Sequence, residues 1–491
     1  MPILSIDAGT TGVTALIVNS SGDIIGRGSQ DFEQFFLSPG WVEHDLDLIW
    51  SAVEYSVRNA IAEAGVGPQA IGITNQRETI ALWNRSDLSP ARKAIVWQDR
   101  RSTAQVDRLR SEGIEGKVRN KTGLGLDPYF SSSKFLWLAE NEPALWSRVE
   151  AGEVAIGTID SYLVAKLSGG KAHITDASNA SRTQLMNIHE GNWDQELLEI
   201  FKVPLSALPE IVPNYGQLAK TDPEFAFGIS APITGMAGDQ QAALFGQAGF
   251  DSGANKCTYG TGAFILCNTG EEASVSENGL LTTIAWMAPD KKITYALEGA
   301  VFVAGAAVQW LRDGMGLIQH SSEIEGLARQ VATSDGVRFV PALTGLGTPF
   351  WNPDVRGAFF GITRGTQKSH LARAALDGLA YQVRAVVDAI EADLGRKLSS
   401  FIVDGGAAAN DLLMQIQADS INLPVTRGQN LESTALGAAF LAGLGAGIWQ
   451  STYQLKSIFK LDKTFEPNDF DETEYQSWLK ACSAAISFAN D

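Results

Sequence analysis

Two hairpin-like segments with glycine- and threonine-rich tips, about 250 residues apart, constrain the fold of this chain more than any other feature. Residues 3–19 contain two β-rich runs around a GTTG tip, and residues 256–267 repeat that order around a Gly-Thr-Gly tip. Short β-rich runs joined by glycine-containing turns are typical of β-hairpins. Because each hairpin opens one half of the chain, the sequence predicts a duplicated domain architecture.

Helical patterns alternate with short apolar runs after the first hairpin. Apolar residues recur at helical spacing over 46–64, where Asp45 can cap the start and Gly65 can end the helix. Short β-rich runs follow at 70–74, 94–97 and 154–158, with a helical segment near 131–140 between the last two. This alternation predicts an α/β sandwich with largely parallel strands after the opening hairpin.

The second half is predicted to hold longer helices. One apolar stripe runs over 371–394 and is closed by Gly395, and residues 401–410 (FIVDGGAAAN) have the pattern of strand, two-glycine turn and helix start. The glycine-rich, aperiodic stretch 246–255 between the halves is a candidate hinge. We therefore place two domains at 1–248 and 249–491.

Composition excludes several classes of protein. The net charge of -18 makes nucleic acid an unfavourable partner. Three cysteines show no disulfide or zinc pattern, and no signal peptide or membrane-spanning run is evident, so a cytoplasmic protein without stable membrane association is expected. Walker, GxGxxG, GxSxG and HExxH patterns are absent, which argues against P-loop enzymes, dehydrogenases, serine hydrolases and zinc proteases.

Four polar or glycine-rich sites each allow two interpretations. Asp7 with the turn after it could bind a metal and phosphate, or could only satisfy its own backbone. Arg77 and Glu78 could hold polyol hydroxyls or form a surface ion pair, and Asp239 could be a general base or a helix cap. The glycine turn before Asn410 could admit a flat ligand or allow tight packing, and Asn410 itself could cap a helix or contact that ligand.

The order of the motifs is more specific than any one of them. The chain resembles the glycerol kinases of the FGGY carbohydrate-kinase family over essentially its full length. The stretches that match include DAGTT at 7–11, GITNQRET at 72–79, AIVWQDRR at 94–101, DPYFS at 127–131, TDASNASRT at 175–183, AGDQQAALFGQ at 237–247, YGTG at 259–262, ALEGAVFVAGA at 296–306, TGLGTPFW at 344–351 and VDGGAAAN at 403–410.

This resemblance implies an α/β fold of two actin-like (ribonuclease-H-like) domains flanking a catalytic cleft. It also implies ATP-dependent phosphorylation of glycerol to sn-glycerol 3-phosphate, with ATP and Mg²⁺, by a cytoplasmic homodimer or homotetramer. The N-terminal domain would hold glycerol and the phosphates, and the C-terminal domain the adenosine of ATP.

The resemblance assigns roles to individual residues of this sequence. Asp239 would be the general base, and Asp7 would act on the Mg·ATP complex through water. The substrate pocket would be formed by Arg77, Glu78, Trp97, Tyr129, Asp239, Gln240 and Phe264. The nucleotide would contact Thr10, Thr11, Gly12, Thr261, Gly305, Gln309, Gly406 and Asn410.

Two departures from the family pattern bear on function. The family commonly has DQGTTSSR at the first hairpin, whereas this chain has DAGTTGVT, so Thr14 replaces an arginine that reaches the phosphates. The stretch 222–233 lacks the basic glycine-rich loop of members inhibited by fructose bisphosphate, so no such inhibition is expected. The alternatives are another FGGY polyol or ketose kinase, and an actin-like ATPase or nucleotide sensor with weak transfer activity.

Overall fold

The computed structural model describes residues 1–430 and 432–490 of the chain. The strands, numbered in chain order, are β1 Ile3–Ala8, β2 Gly12–Val18, β3 Ile24–Asp31, β4 Gln34–Phe35, β5 Glu43–His44, β6 Ala70–Asn75, β7 Ile80–Asn84, β8 Ala94–Ile95, β9 Val154–Thr158, β10 Ile174–Asp176, β11 Met186–Asn187, β12 Asn192–Trp193, β13 Glu210–Val212, β14 Tyr215–Lys220, β15 Pro232–Gly238, β16 Asn255–Tyr259, β17 Ala263–Gly270, β18 Leu281–Met287, β19 Ile293–Val301, β20 Arg338–Val340, β21 Ala358–Phe360, β22 Phe401–Asp404, β23 Val425–Gly428 and β24 Leu461–Phe465.

The α-helices, numbered in the same way, are α1 Leu46–Ala64, α2 Thr103–Ser111, α3 Glu115–Thr122, α4 Ser131–Asn141, α5 Pro143–Glu150, α6 Ile159–Leu167, α7 Ala177–Ser181, α8 Gln195–Ile200, α9 Asp239–Gly246, α10 Gly305–Asp313, α11 Glu323–Ala328, α12 Lys368–Leu394, α13 Asp411–Ile421, α14 Ser433–Gly445, α15 Thr452–Ile458 and α16 Glu472–Asn490. Short 3₁₀ turns lie at Leu205–Ala207 and Gly406–Ala409.

Two mixed sheets repeat one strand plan. The first has the order β14-β15-β6-β1-β2-β3, and the second has β24-β23-β22-β16-β17-β19-β18. The pairing sense of the five shared steps is the same in both: antiparallel, parallel, parallel, antiparallel, antiparallel. The predicted duplication is therefore confirmed, with a hairpin in the middle of each sheet.

The prediction of largely parallel strands was wrong. Only two of the five pairings in the first sheet are parallel, because the opening hairpin continues into β3 as an antiparallel meander. The sequence of β3, IIGRGSQD, is mostly polar and exposed at its end, so its hydrophobic pattern gave no clear strand signal. The run expected at 94–97 is also shorter, with a strand only at Ala94–Ile95.

Several local predictions are confirmed by backbone geometry. The Asp45 side chain accepts a hydrogen bond from the Asp47 backbone N–H at the start of α1, and Gly65 ends that helix with φ of 66°. Gly395 ends α12 with φ of 62°. Asn410 caps α13, where its side chain accepts from the Leu413 backbone N–H.

Helix α14 joins the two halves. Although it lies between β23 and β24 of the second sheet in sequence, it packs on α9 and against the first sheet. A Cβ on Gly437 would lie 1.8 Å from the Ala242 carbonyl oxygen, and a Cβ on Gly72 would lie 2.1 Å from that of Ala438. Only glycine permits this approach of backbones. The domain boundary between residues 248 and 249 stays a prediction. Helix α14 belongs to the second half by sequence but packs on elements of the first half. In the described residues, none of the helices combines the length and apolar character needed to cross a membrane.

Candidate active site

The two hairpin tips are built alike and lie at the ends of their strands. The Gly9 N–H donates to the Gly12 carbonyl across 2.9 Å, and the Gly260 N–H donates to that of Gly262 across 2.8 Å. The second tip also accepts a bond of 2.9 Å from the Gly305 N–H at the start of α10. Consecutive backbone N–H groups in such turns are suited to binding phosphate.

Glycine at 305 and 405 is required by close packing. An added Cβ at Gly305 would lie 2.6 Å from the Gly260 carbonyl oxygen. Gly405 has φ of +84°, and its Cβ would lie 2.5 Å from the Tyr259 carbonyl oxygen. At Gly406 nothing lies within 4 Å of an added Cβ, so the turn is open on that side. The structure thus brings Thr261, Gly305 and Gly406 around one glycine-lined surface.

The first hairpin tip is held by side chains of the neighbouring loops. The Trp97 indole N–H donates to the Thr10 hydroxyl across 3.0 Å, and the Gln34 amide donates to the Thr10 carbonyl across 2.8 Å. The Gln76 amide donates to the Gly9 carbonyl across 2.9 Å. Thr11 is exposed and Gly12 is half-buried at the end of the tip. These contacts place the phosphate-binding candidate beside Trp97 of the substrate-binding candidates.

Asp7 lies near the end of β1, where its carboxyl group is close to other acidic side chains. Burial, together with the charges of Asp239 and Glu432, raises the pKa of Asp7 well above its ordinary value. Across β1 and β2 it is paired with Thr14, so the two side chains share one face of the sheet. Among the described residues no group of three or more His, Cys, Asp or Glu side chains can hold a metal by itself.

These properties fit Mg²⁺ at Asp7. Burial, and then the charges of Asp239 and Glu432, raise the pKa of this carboxyl, and a divalent cation beside it would oppose both effects. Mg²⁺ usually keeps several waters and takes one or two carboxylates plus substrate phosphates. Asp7 would therefore hold the ion jointly with phosphate oxygens and water.

A buried network of four charged side chains lies beside this region. Glu298 accepts from both terminal nitrogens of Arg77, at 2.5 and 3.0 Å, and from Arg182 Nη2 at 2.9 Å. Arg182 Nε donates to Glu78 Oε1 across 2.6 Å. All four side chains are at most 2% exposed. The interpretation of Arg77 and Glu78 as a surface ion pair is therefore wrong.

Opposite charges set the protonation of this network. Burial by itself favours the neutral acid, but Arg182 and Arg77 outweigh it and lower the pKa of Glu298. Burial raises the pKa of Glu78, against the opposing effect of the same two arginines. Glu78 also has φ of 61°, a left-handed conformation that costs non-glycine residues about 1–3 kcal/mol. Such strain clusters at functional sites.

Asp239 is a partly exposed carboxylate at the margin of this buried charge network. Its Oδ1 lies 3.2 Å from Arg77 Nε, and its side chain is 28% exposed, whereas that of Arg77 is 2% exposed. The interpretation as a helix cap is wrong, because Gly238 is the cap residue of α9 and the helix start has no side-chain cap bond. Instead Asp239 accepts from the adjacent Gln240 N–H across 2.7 Å. Asp239 is thus a carboxylate that a ligand can reach.

Aromatic rings line the space next to Asp239 and Arg77. Trp97 meets Tyr129 edge to face at a centroid distance of 5.6 Å, and meets Phe264 in the same way at 6.3 Å. The Tyr129 hydroxyl accepts from Arg77 Nη2 across 3.4 Å. Phe264 belongs to the second sheet and Trp97 to the first half. The candidate pocket therefore has charged and apolar walls drawn from both halves.

Two predicted residues stay apart from these contacts. Gln309 is exposed on α10, and the Asn410 side-chain oxygen is used to cap α13 at 2.9 Å from the Leu413 nitrogen. In the described part of the chain, no hydrogen bond joins either to the other candidates. Their contact with a nucleotide stays a prediction.

The sequence interpretation missed Arg182, Glu298 and Lys256. All three are buried and reach residues that it did name. A charged residue inside an apolar strand was the available signal, since Glu298 interrupts ITYALEGAV and Lys256 lies in NKCTY. Arg182 lies 104 positions from Glu78, Glu298 lies 221 positions from Arg77, and Lys256 lies 16 positions from Gln240, so these pairings are not visible in the sequence.

Both halves of the chain match models of one known protein family. Residues 2–246 match the N-terminal domain, and residues 255–446 the C-terminal domain, of the FGGY family of carbohydrate kinases. The glycerol kinase of Bacillus subtilis is 50% identical over 99% of both chains.

Solved structures agree in the fold. The glycerol kinase of Plasmodium falciparum, solved with ADP, is 37% identical with a TM-score of 0.92, covering 99% of this chain and 98% of that one. A xylulose kinase of Lactobacillus acidophilus has a TM-score of 0.88 at 23% identity, over 100% and 98% of the two chains, and shows the same fold. The predicted two-domain, actin-like architecture is confirmed, and the chain belongs to the FGGY family of carbohydrate kinases.

Proposed function

We propose that this chain transfers the γ-phosphoryl group of ATP to a terminal hydroxyl of glycerol, giving sn-glycerol 3-phosphate and ADP. The observation that carries the proposal is the position of Asp239. It is the exposed carboxylate at the edge of an otherwise buried charge network, and the aromatic rings of the pocket lie beside that network. Full-length similarity to glycerol kinases supports glycerol as the substrate.

In this mechanism the polar and apolar walls orient glycerol. Arg77 donates to hydroxyl oxygens, Glu78 and Gln240 complete the polar contacts, and Trp97, Tyr129 and Phe264 cover the carbon face. Asp239 takes the proton of the attacking hydroxyl as the new O–P bond forms. The bond between the γ-phosphorus and the β,γ-bridging oxygen breaks, and ADP leaves with that oxygen. Phosphoryl transfer depends mainly on such positioning and charge stabilisation.

The second half supplies the nucleotide site in this proposal. Thr10, Thr11 and Gly12 contact the phosphates from the first hairpin, and Thr261, Gly305, Gln309, Gly406 and Asn410 line the rest. Asp7 would hold Mg²⁺ through water, and the ion would supply positive charge beside the phosphates. Residues 1–248 and 249–491 are the two domains whose closure would exclude water from the cleft. A homodimer or homotetramer and a cytoplasmic location stay predictions.

A coupled assay of ADP release tests the reaction. We expect ADP release that depends on glycerol and is weaker with dihydroxyacetone, erythritol and xylulose. A preference for a longer polyol or ketose would favour another kinase activity of the family. ADP release independent of any polyol would favour the ATPase.

Replacement of the base tests the mechanism. We expect Asp239→Asn to lower kcat by about 10²–10⁴-fold, the usual contribution of a positioned base. ATP binding, measured by calorimetry, should change little. Asp313→Asn is the control, since Asp313 is an exposed carboxylate whose ion pair is with the neighbouring Arg312. Near-wild-type turnover of Asp239→Asn would remove this residue from the mechanism.

A further inference from the structure

Lys256 is a buried cation that joins the two halves of the candidate site. It lies on β16 and is 0% exposed. Its ammonium donates to Gln240 Oε1, to Thr258 Oγ1 across 2.9 Å and weakly to the Phe264 carbonyl across 3.5 Å. Gln240 belongs to α9 of the first half, whereas the other partners belong to the second. Two of the three partners are residues of the candidate substrate pocket.

The contact with Lys256 determines which way the Gln240 amide points. An ammonium only donates, so it must face the carbonyl oxygen of the amide and not its NH₂ group. The NH₂ group is thereby directed away from Lys256. In residues 1–430 and 432–490 it has no hydrogen-bond partner within the protein. Gln240 follows Asp239 in the first turn of α9, and its backbone N–H donates to the Asp239 carboxylate.

Two carboxylates, Asp404 and Asp239, act on the charge of Lys256. Burial lowers the pKa of Lys256, and the negative charges of Asp404 and Asp239 oppose that effect. Thr258, which accepts from the ammonium, is paired with Asp404 in the parallel register of β16 and β22. Asp404 directly precedes the glycine turn at 405–406. Lys256 therefore lies between the substrate residues and the strand that leads to the nucleotide turn.

We propose that Lys256 is a positioning residue for the substrate: it fixes the Gln240 amide so that the NH₂ group is presented to a substrate hydroxyl, across the junction of the two halves. This inference rests on the proposed function. A buried ammonium carries a substantial desolvation cost, so its place beside the pocket is better explained by such a role than by packing alone. Lys256 touches neither substrate nor reacting atoms in this role.

A double-mutant cycle with steady-state kinetics tests the proposal. We expect Lys256→Met to raise KM for glycerol about tenfold, equivalent to about 1.4 kcal/mol. The KM for ATP and kcat should change by less than about threefold. In a Gln240→Ala background the same substitution should have little further effect on KM for glycerol, because the two residues act through one contact. Lys117→Met, at an exposed ion pair with Glu196, is the control for loss of a lysine.

Gln240→Glu provides a second variant in which Lys256 is kept. The new carboxylate would still accept from Lys256, whereas Gln240→Ala leaves the buried ammonium without this acceptor, so the Tm of Gln240→Glu should be higher than that of Gln240→Ala. Because a carboxylate cannot donate, KM for glycerol should rise as it does in Gln240→Ala. This variant keeps the proposal testable if Lys256→Met does not fold.

Three results would overturn the proposal. One is independent, additive effects of Lys256→Met and Gln240→Ala on KM for glycerol. Another is an unchanged KM for glycerol in a folded Lys256→Met enzyme. The third is a Tm of Gln240→Glu no higher than that of Gln240→Ala. Failure of the proposed function would look different, since the wild-type enzyme would then show no glycerol-dependent ADP release.

Discussion

Glu298→Gln removes the carboxylate to which both buried arginines, Arg77 and Arg182, donate hydrogen bonds. The substitution keeps the size of the side chain but replaces an accepting oxygen by an NH₂ group that faces a guanidinium. Three hydrogen bonds of 2.5, 3.0 and 2.9 Å from Arg77 and Arg182 end on the present carboxylate. Hydrogen bonds to charged groups contribute about 1.5–3 kcal/mol each, and loss of one partner from a buried ion pair costs about 3–5 kcal/mol.

We therefore expect the free energy of unfolding of Glu298→Gln to fall by about 3–5 kcal/mol. For a domain of about 250 residues, 1 kcal/mol corresponds to about 2–4 °C, so Tm should fall by about 6–20 °C. Arg77, released from Glu298, would pair more closely with Asp239, which lies 3.2 Å away, and kcat should fall as the base is neutralised. Both effects concern one network and should appear together.

Thermal unfolding followed by circular dichroism, and the coupled ADP assay, measure these effects. Glu271→Gln is the matched control, because Glu271 is 72% exposed and its contact with Lys292 is 3.6 Å long. Its Tm and kcat should stay within error of the wild type. A loss of less than about 1 kcal/mol in Glu298→Gln would refute the argument that this carboxylate neutralises the buried arginines.

Three further predictions follow from single contacts. Gly305→Ala should raise KM for ATP and lower the free energy of unfolding by about 1–3 kcal/mol, because its Cβ would lie 2.6 Å from the Gly260 carbonyl oxygen. Gly326→Ala is the control, since nothing lies within 4 Å of an added Cβ there. Equal KM and stability of the two variants would contradict the prediction. Thr14→Arg should lower the pKa of Asp7, measured by carboxylate NMR, and lower KM for ATP several-fold; unchanged ATP kinetics would show that position 14 does not face the phosphates. Burial lowers the pKa of His44 to about 4, below the ordinary 6.5, so the unfolded chain binds this proton first as pH falls. Stability should thus decrease between pH 6.5 and pH 4, by about 3 kcal/mol from His44. Denaturant unfolding at both pH values should show a larger decrease for the wild type than for His44→Gln, and equal decreases would contradict this assignment.

Much of the local structure was predictable because it depends on neighbouring residues. The cap at Asp45 and the glycine ends at Gly65 and Gly395 are properties of a few adjacent side chains and backbone angles. The hairpin tips were visible for the same reason. The antiparallel pairing of β3 with β2 was not predictable, because the pairing of a polar edge strand depends on the rest of the sheet more than on its own sequence.

The sequence by itself determined which chemical groups are available: glycine turns for phosphate, aromatic rings, and the carboxylates Asp7 and Asp239. The tertiary structure decided which charges neutralise one another. Arg77 pairs with Glu298 across 221 positions of the chain, and Lys256 reaches back across the junction to Gln240. A charge removed from water must find an opposite charge or a hydrogen-bond partner, and only the folded chain determines which distant side chain is close enough to provide it.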